Sequence, residues 1–179
     1  MKKEFWDFDE NINYKTITIN DNKYKVLYKY DNYYYSALIL NNIRNLINHI
    51  CNYLINNYYK YSRKNKILIK CFLDIHNNYY LLSEMQLNTN FDGLNKPKQL
   101  FLSNKENIGT DGKLRASYRD IFLTLRKKNG EFKSSTDIIK LVIHEIAHTM
   151  CNHVTWRDDD HNKDFKNAER ILINIIQEH

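Results

Sequence analysis

The chain has 179 residues, of which 42% are hydrophobic and 27% charged, and its formal net charge is +6. This length and composition suit one domain with a core of its own and argue against a disordered chain. No apolar run reaches the ~18 residues of a transmembrane helix, and the first residues lack the apolar core of a secretion signal. Membrane association is therefore not expected.

The predicted elements begin with two short strands of alternating pattern, Thr16–Ile19 and Tyr24–Tyr28, around a turn at Asp21-Asn22. A long amphipathic helix is predicted from Tyr34 to Tyr61, because apolar residues recur there at intervals of three and four. These apolar positions are Leu38, Ile39, Ile43, Leu46, Ile47, Ile50, Leu54 and Tyr58. His49 in this helix is interpreted as a surface or half-buried histidine rather than a ligand.

The middle of the chain gives weaker patterns. Lys66–Asp74 is a short apolar run rich in β-formers and is predicted to be a buried strand. Tyr79–Leu87 is ambiguous and fits a short helix. Asn88–Lys98 carries the only proline and a glycine, which predicts a loop. Leu100–Leu102 fits a brief strand, and Asn107–Lys113 fits a further turn.

Tyr118–Lys127 has the clearest strand pattern, because its apolar residues alternate between two faces. Asn129-Gly130 then turns the chain, and Ser134–Asp137 offers N-caps for the next helix. No internal repeat or linker is visible. We therefore predict an α+β fold in which residues 1–33 form a β-rich N-terminal extension and residues 34–179 form one domain.

His144-Glu145-Ile146-Ala147-His148 is an H-E-x-x-H motif in an apolar segment with a helical pattern. Histidines four apart lie one above the other on a helix and can share one metal ion, for which Zn²⁺ is predicted. Glu145 has the position of the general base of a zinc peptidase. At about 100° per residue, the two imidazoles and the carboxylate fall on one polar arc. The alternative, a buried helix with incidental polar residues, would leave these groups in need of other partners.

A catalytic zinc takes three protein ligands and keeps one position open. His161 is the best candidate for the third ligand, because it opens a predicted helix that runs to about Gln177. Asp158–Asp160 would supply the N-cap and first-turn acids of this helix. Phe165 follows His161 on nearly the same face and should pack beside the metal.

Three other residues are alternatives for the third ligand. Glu169 lies on the same predicted helix as His161, at a distance that suits a glutamate ligand. His153 would face away from the site unless the motif helix turned first, and no glycine is present to make that turn. Cys151 lies on the correct face, but three ligands in line on one helix converge poorly on one ion.

H-E-x-A-H at 144–148, followed by H-x-x-x-F at 161–165, resembles the WLM-domain and SprT-like zinc metalloproteases. The resemblance covers His144 to Phe165 and fits the order of the preceding strand. It implies a minimal zincin fold with a mixed sheet, an edge strand that lines the cleft and the motif helix beneath it. It also implies His144, His148 and His161 as zinc ligands, and proteolysis of proteins bound or crosslinked to DNA.

The chemistry that follows is hydrolysis of a protein or peptide substrate by a zinc endopeptidase. An extended substrate would pair with the strand at Tyr118–Arg126, which is either the edge of the cleft or an interior strand. Asp158, Asp160 and Asp164 are candidates to accept a hydrogen bond from a ligating imidazole, and each is also a candidate helix cap. Nothing in the spacing singles out Tyr118 or Arg157 as an oxyanion donor.

The basic residues form two clusters, which make DNA a candidate partner, although a solvated surface explains them equally well. The first contains Lys60, Arg63, Lys64 and Lys66, and the second contains Arg115, Arg119, Arg126, Lys127 and Lys128. The three cysteines, Cys51, Cys71 and Cys151, form no C-x-x-C pair. Isolated cysteines favour a reducing compartment, so an intracellular location, cytoplasmic or nuclear, is predicted.

Two other function classes compete with the peptidase. A zinc-dependent hydrolase of nucleic acid can use three histidines on a similar fold, but Glu145 argues against it because such proteins lack this glutamate. A non-catalytic zinc-binding module would fill four coordination positions with protein ligands. His153 or Asp160 would be the fourth ligand in that case.

Overall fold

The computed structural model describes residues 14–77, 80–87, 92–98, 118–151 and 161–178. Helices and strands combine in an α+β fold with a five-stranded mixed sheet, which confirms the predicted class. In chain order, the elements are β1 (Tyr14–Ile19), β2 (Asn22–Leu27), α1 (Tyr33–Asn56), α2 (Tyr58–Asn77), β3 (Tyr80–Glu84), β4 (Gly93–Lys98), β5 (Tyr118–Leu123), α3 (Ser135–Met150) and α4 (Lys163–Gln177).

The strand order in the sheet is β1-β2-β3-β5-β4. Strands β2, β3 and β5 are parallel to one another, whereas β1 pairs antiparallel with β2 and β4 pairs antiparallel with β5. The strand that starts at Tyr118 is therefore an interior strand, and its interpretation as the cleft edge is wrong. Among the strands that the structure describes, the edge on this side of the sheet is β4.

Strand β4 falls in a segment that was predicted to be a loop. Gly93 and Pro97 are loop signals, but they pair with Leu123 and Arg119 of β5. An edge strand tolerates proline because one side of it carries no ladder of hydrogen bonds within the sheet. The prediction of a loop over Asn88–Lys98 is therefore wrong for the residues from Gly93 onward.

In this region one further prediction is wrong, and one segment that the sequence left ambiguous is a strand. Lys66–Asp74 belongs to helix α2, where Leu68, Ile69 and Phe72 are buried at helical spacing. Tyr80–Glu84 forms strand β3 rather than a short helix. Both segments are short and apolar, and periodicity alone cannot separate a buried strand from a buried helix at that length.

The predicted long helix exists but is divided in two. Helix α1 ends at Asn56, and the side chain of Asn57 donates to the main-chain oxygen of Tyr53 at 2.9 Å. Helix α2 begins at Tyr58 and contains non-helical backbone at Asn65. His49 lies exposed on α1, which agrees with its interpretation as a surface histidine.

The hairpin β1–β2 closes as predicted, with the turn one residue earlier. Asn20 and Asp21 both have positive φ, at 48° and 63°, as the two-residue turn of a right-twisted hairpin requires. Strand β2 pairs with β3, and its Tyr24 and Val26 belong to the main core. This part of the predicted N-terminal extension therefore shares the core of the domain.

One apolar core joins the four helices to strands β2, β3 and β5. Helix α1 contacts β1, β2 and β3, while α3 contacts β4, β5, α2 and α4. Helix α3 thus lies between the edge of the sheet and helix α4. Within the described ranges, no helix combines the length and hydropathy needed to cross a bilayer. The segments Leu100–Leu102 and Asn107–Lys113 lie outside the described residues.

Candidate metal centre

Helix α3 carries the H-E-x-x-H motif and starts where the sequence predicts. Ser134 is its N-cap, and the Ser134 hydroxyl accepts a hydrogen bond from the main-chain N–H of Asp137 at 3.1 Å. The cap satisfies one of the open N–H groups at the helix start. The helix buries its apolar face and leaves His144 and His148 half-exposed toward α4.

Three imidazoles converge between α3 and the start of α4. One ring nitrogen from each of His144, His148 and His161 lies within 4.8 Å of the others. The Nε2 atoms of His144 and His161 are 3.3 Å apart. Zinc–nitrogen bonds of about 2.0–2.1 Å in tetrahedral geometry place two ligand nitrogens about 3.3–3.4 Å apart. The distance between this one pair therefore matches that between two zinc ligands, and three imidazoles are a donor set that can hold a metal ion.

His161 reaches the site from just before helix α4. The N-cap of α4 is Asn162, whose Oδ1 accepts from the main-chain N–H groups of Asp164 and Phe165 at 3.0 and 3.2 Å. The prediction that His161 opens this helix, with Asp158–Asp160 as its N-caps, is therefore wrong about the cap. An asparagine side chain is short enough to bond the first N–H groups and leaves His161 outside the helix.

Phe165 forms an apolar wall behind the three histidines. It is 2% exposed, and its ring centroid lies 5.0 Å from that of His144 and 4.7 Å from those of His148 and His161. Contact with one rigid ring restricts the rotation of all three imidazoles. The expectation that Phe165 packs beside this cluster is confirmed.

Glu169 occupies a different place from that of a third ligand. Its Oε1 lies 3.4 Å from Nδ1 of His144, whereas the Nε2 of the same ring faces His161. A carboxylate behind a ligating imidazole orients the ring and fixes its tautomer. Burial lowers the pKa of His144, with a further contribution from His161, against the opposing effect of Glu169. The neutral imidazole, which is the form that binds metal, is therefore favoured.

Glu145 is more enclosed than the helical arc predicts. Only 3% of its surface is exposed, because strand β4 covers it, and burial raises the pKa of its carboxyl to about 8. A Cβ atom at Gly93 of β4 would lie 2.5 Å from Oε1 of Glu145. Backbone of the edge strand therefore lies directly against the carboxyl group, and the raised pKa means that burial favours its protonated form.

Several residues proposed from the sequence lie elsewhere. Cys151 is the C-cap of α3 and is outside the three-histidine cluster. Asp164 is exposed in the first turn of α4, as a helix-capping acid would be. His153, Arg157, Asp158 and Asp160 lie outside the described residues, and the side chain of Tyr118 is also outside them.

The role of Glu169 behind His144 and the contact of Gly93 with Glu145 were not foreseen. One local signal was present for the first: Phe165 and Glu169 are four residues apart and so share one face of the predicted helix. No local signal pointed to Gly93, because its contact with Glu145 joins positions 52 residues apart. Only the pairing of β4 with β5 brings the two together.

The second basic cluster is only partly at the surface. Arg119 and Arg126 are buried, at 0% and 3% exposure, and Arg115 lies outside the described residues. Lys64, from the first cluster, lines an open groove of about 590 Å³ between α2 and α4. Its lining consists of Lys64, Asn65, Lys163, Asp164, Lys166, Asn167 and Arg170. Four cations and one acid thus face this groove.

Comparison with protein-family models, curated proteins and solved structures finds no match to this chain. The resemblance of the segment from His144 to Phe165 to the WLM-domain and SprT-like metalloproteases stays a prediction.

Proposed function

We propose that this protein is a zinc-dependent endopeptidase, with His144, His148 and His161 as ligands and Glu145 as the general base. The observation that supports it is the convergence of three imidazole nitrogens within 4.8 Å of one another, two of them from the helix that also carries Glu145. A bound zinc supplies the Lewis acidity that amide hydrolysis at neutral pH requires. Phe165 and Glu169 hold the ligands in place.

The residues of the chain have separate tasks in this reaction. The Glu145 carboxylate accepts a proton from the attacking water and returns it to the leaving amine. Its enclosure by β4 keeps the carboxylate in one place and partly excludes bulk water. Strand β4 pairs with β5 on one side, and an extended substrate can add to its other side through main-chain hydrogen bonds.

Removal of one ligand tests the metal site. We expect the purified wild-type protein to bind one zinc per chain and His161→Ala to lose most of that affinity, because two nitrogens hold zinc poorly. His49→Ala is the matched control, since it removes an exposed histidine from α1. Metal content after dialysis measures both variants. Equal zinc in wild type and His161→Ala would remove His161 from the site.

Proteolysis itself is tested with an unfolded protein as substrate. We expect cleavage by the zinc-loaded chain, its loss with a chelator and its return when zinc is added. Zinc binding without cleavage of any protein would favour the non-catalytic module. Cleavage of nucleic acid in place of protein would favour the hydrolase alternative.

We further propose that the substrates include proteins bound or crosslinked to DNA. The groove between α2 and α4 supports this, because Lys64, Lys163, Lys166 and Arg170 line a concave surface. Asn167 donates to Asn65 at 2.6 Å and accepts from Arg170 at 2.7 Å, so the Arg170 guanidinium is held toward the groove. A phosphodiester backbone is the polyanion that such a surface suits.

Charge reversal in the groove tests DNA binding. For Lys166→Glu with Arg170→Glu, we expect weaker binding of a single-stranded oligonucleotide and a salt dependence reduced by about one phosphate contact per residue. The control is Lys127→Glu with Lys128→Glu, which makes the same charge change at exposed positions outside the groove. Fluorescence anisotropy at several salt concentrations measures both. An equal loss in the two double variants would mean that net charge alone governs binding.

A further inference from the structure

Asn95 joins the edge strand β4 to the motif helix α3. Its side chain is 8% exposed, and its Nδ2 donates to the main-chain oxygen of Glu145 and to the hydroxyl of Thr149, both at 2.5 Å. Arg119 of β5 donates to the Oδ1 of Asn95 at 3.3 Å. Because the carbonyl end of the amide faces Arg119, both N–H donors are directed at the helix. The strand is thus bonded to two positions one helical turn apart.

Gly93 makes the second contact between the same two elements. Gly93 and Asn95 are two residues apart on β4, so they face the same side of the sheet. A Cβ at Gly93 would lie 2.5 Å from Oε1 of Glu145 and 2.9 Å from both Cγ and Cδ. Such distances fall inside van der Waals contact, so a larger residue would have to displace the whole Glu145 side chain. The requirement for glycine here is one of space.

We propose that Gly93 and Asn95 are positioning residues for Glu145. Asn95 sets where β4 lies along α3, and Gly93 leaves the space that the Glu145 carboxylate occupies. The strand that would bind substrate and the base that would act on it therefore form one rigid unit. The catalytic part of this inference rests on the proposed peptidase function, whereas the contact itself does not.

A stability cycle tests the contact without any assay of activity. In the full chain, we expect Gly93→Ala to lower the urea midpoint when Glu145 is present and to have a much smaller effect in Glu145→Ala, where the clashing side chain is gone. Wild type, the two single variants and the double variant are unfolded in urea under the same conditions. If Gly93→Ala lowers the midpoint equally in both backgrounds, Gly93 does not make space for Glu145, and the inference is wrong.

The kinetic test separates positioning from stability. Asn95→Leu is compared with Asn41→Leu on α1, because Asn41 is also 8% exposed and accepts a buried hydrogen bond from Tyr24 at 3.0 Å. We expect both variants to lower the urea midpoint. Only Asn95→Leu should lower kcat, by about 10–100-fold, because a small displacement of the base relative to the substrate has effects of that size. Zinc content should stay unchanged in both.

Gly93→Ala should give a matching kinetic result. We expect its kcat to fall with little change in KM, because the main chain of β4 still pairs with substrate. Equal kcat in Asn95→Leu and Asn41→Leu would overturn the inference. If the wild-type chain cleaves nothing, the proposed function fails, and the stability cycle still decides whether Gly93 makes space for Glu145.

Discussion

Replacement of Glu145 by glutamine is expected to lower kcat by about 10²–10⁴-fold while zinc stays bound. Glutamine has nearly the same shape, so it fits the space against Gly93, but its amide cannot accept the proton of the attacking water. Metal affinity should be unchanged because the three imidazoles are untouched. Glu131→Gln, at an exposed turn position, is the matched control and should keep full activity.

Single-turnover cleavage and metal content are measured on the same preparations. Substantial activity in Glu145→Gln would exclude Glu145 as the base. Loss of zinc together with activity would mean that the residue acts on the metal site rather than on the water. Retained zinc with lost turnover is the outcome that the proposed mechanism requires.

In the metal-free protein, the effect of Glu145→Gln on stability is expected to depend on pH. Burial raises the pKa of Glu145 from 4.5 to about 8, so ionisation is less favourable in the folded chain than in the unfolded chain. The contribution of Glu145 to the free energy of unfolding is therefore most favourable below the pKa of the unfolded chain, and it decreases as the pH rises toward 8. We expect Glu145→Gln to lack this loss, so it should gain stability over wild type between acidic and mildly alkaline pH. Urea unfolding of both metal-free proteins over that range measures the difference.

Replacement of Arg126 by methionine is expected to destabilise the fold by about 3–5 kcal/mol, because it leaves a buried carboxylate without its charged partner. Arg126 Nε lies 2.9 Å from Oε1 of Glu84, and the two side chains are 4% and 0% exposed. The guanidinium also donates to the oxygen of Gly130 and to the hydroxyl of Ser36, both at 3.0 Å. Glu84 in turn accepts from the main-chain N–H of Leu27 at 2.9 Å.

This network joins parts of the chain that are distant in sequence. It links β2, β3 and the start of α1 to the segment after β5, and the Arg126 guanidinium lies 4.1 and 4.0 Å from the ring centroids of Tyr30 and Phe132. A loss of 3–5 kcal/mol is large beside the roughly 5–15 kcal/mol by which domains are stable. The expected effect is therefore a large fraction of the stability of a domain.

Lys133→Met is the control for the ion pair. Lys133 pairs with Asp92 at 3.1 Å, but Asp92 is 63% exposed, so water screens the interaction and its loss should amount to about 1 kcal/mol or less. Glu84→Gln added to Arg126→Met should recover part of the stability, since it removes the stranded charge. Urea unfolding measures all variants. Equal effects of Arg126→Met and Lys133→Met would show that the buried pair contributes no more than an exposed one.

Features that depend on neighbouring residues were predictable from the sequence. Two turns, one N-cap and the helical pattern of α1 depend on residues only a few positions apart. The turns predicted at Asp21-Asn22 and Asn129-Gly130 and the N-cap at Ser134 lie at, or within one residue of, their predicted positions, and α1 is helical as its spacing predicts. The pairing of His144 with His148 is equally local, because a helix brings residues four apart together. The secondary-structure predictions failed in short apolar segments, where helix and strand share one pattern, and at β4, where glycine and proline resemble a loop.

Features that depend on distant residues were decided by the tertiary structure. The sequence by itself determined the α+β class, the motif helix and the donor types of the site. Because β4 lies outside β5 in the sheet, Gly93 of β4 rather than a residue of β5 contacts Glu145. The packing of α4 on α3 places Glu169 beside His144. Burial turned Arg126 from a presumed surface cation into half of an internal ion pair. These outcomes arise from contacts between residues that chain folding brings together, which no local pattern encodes.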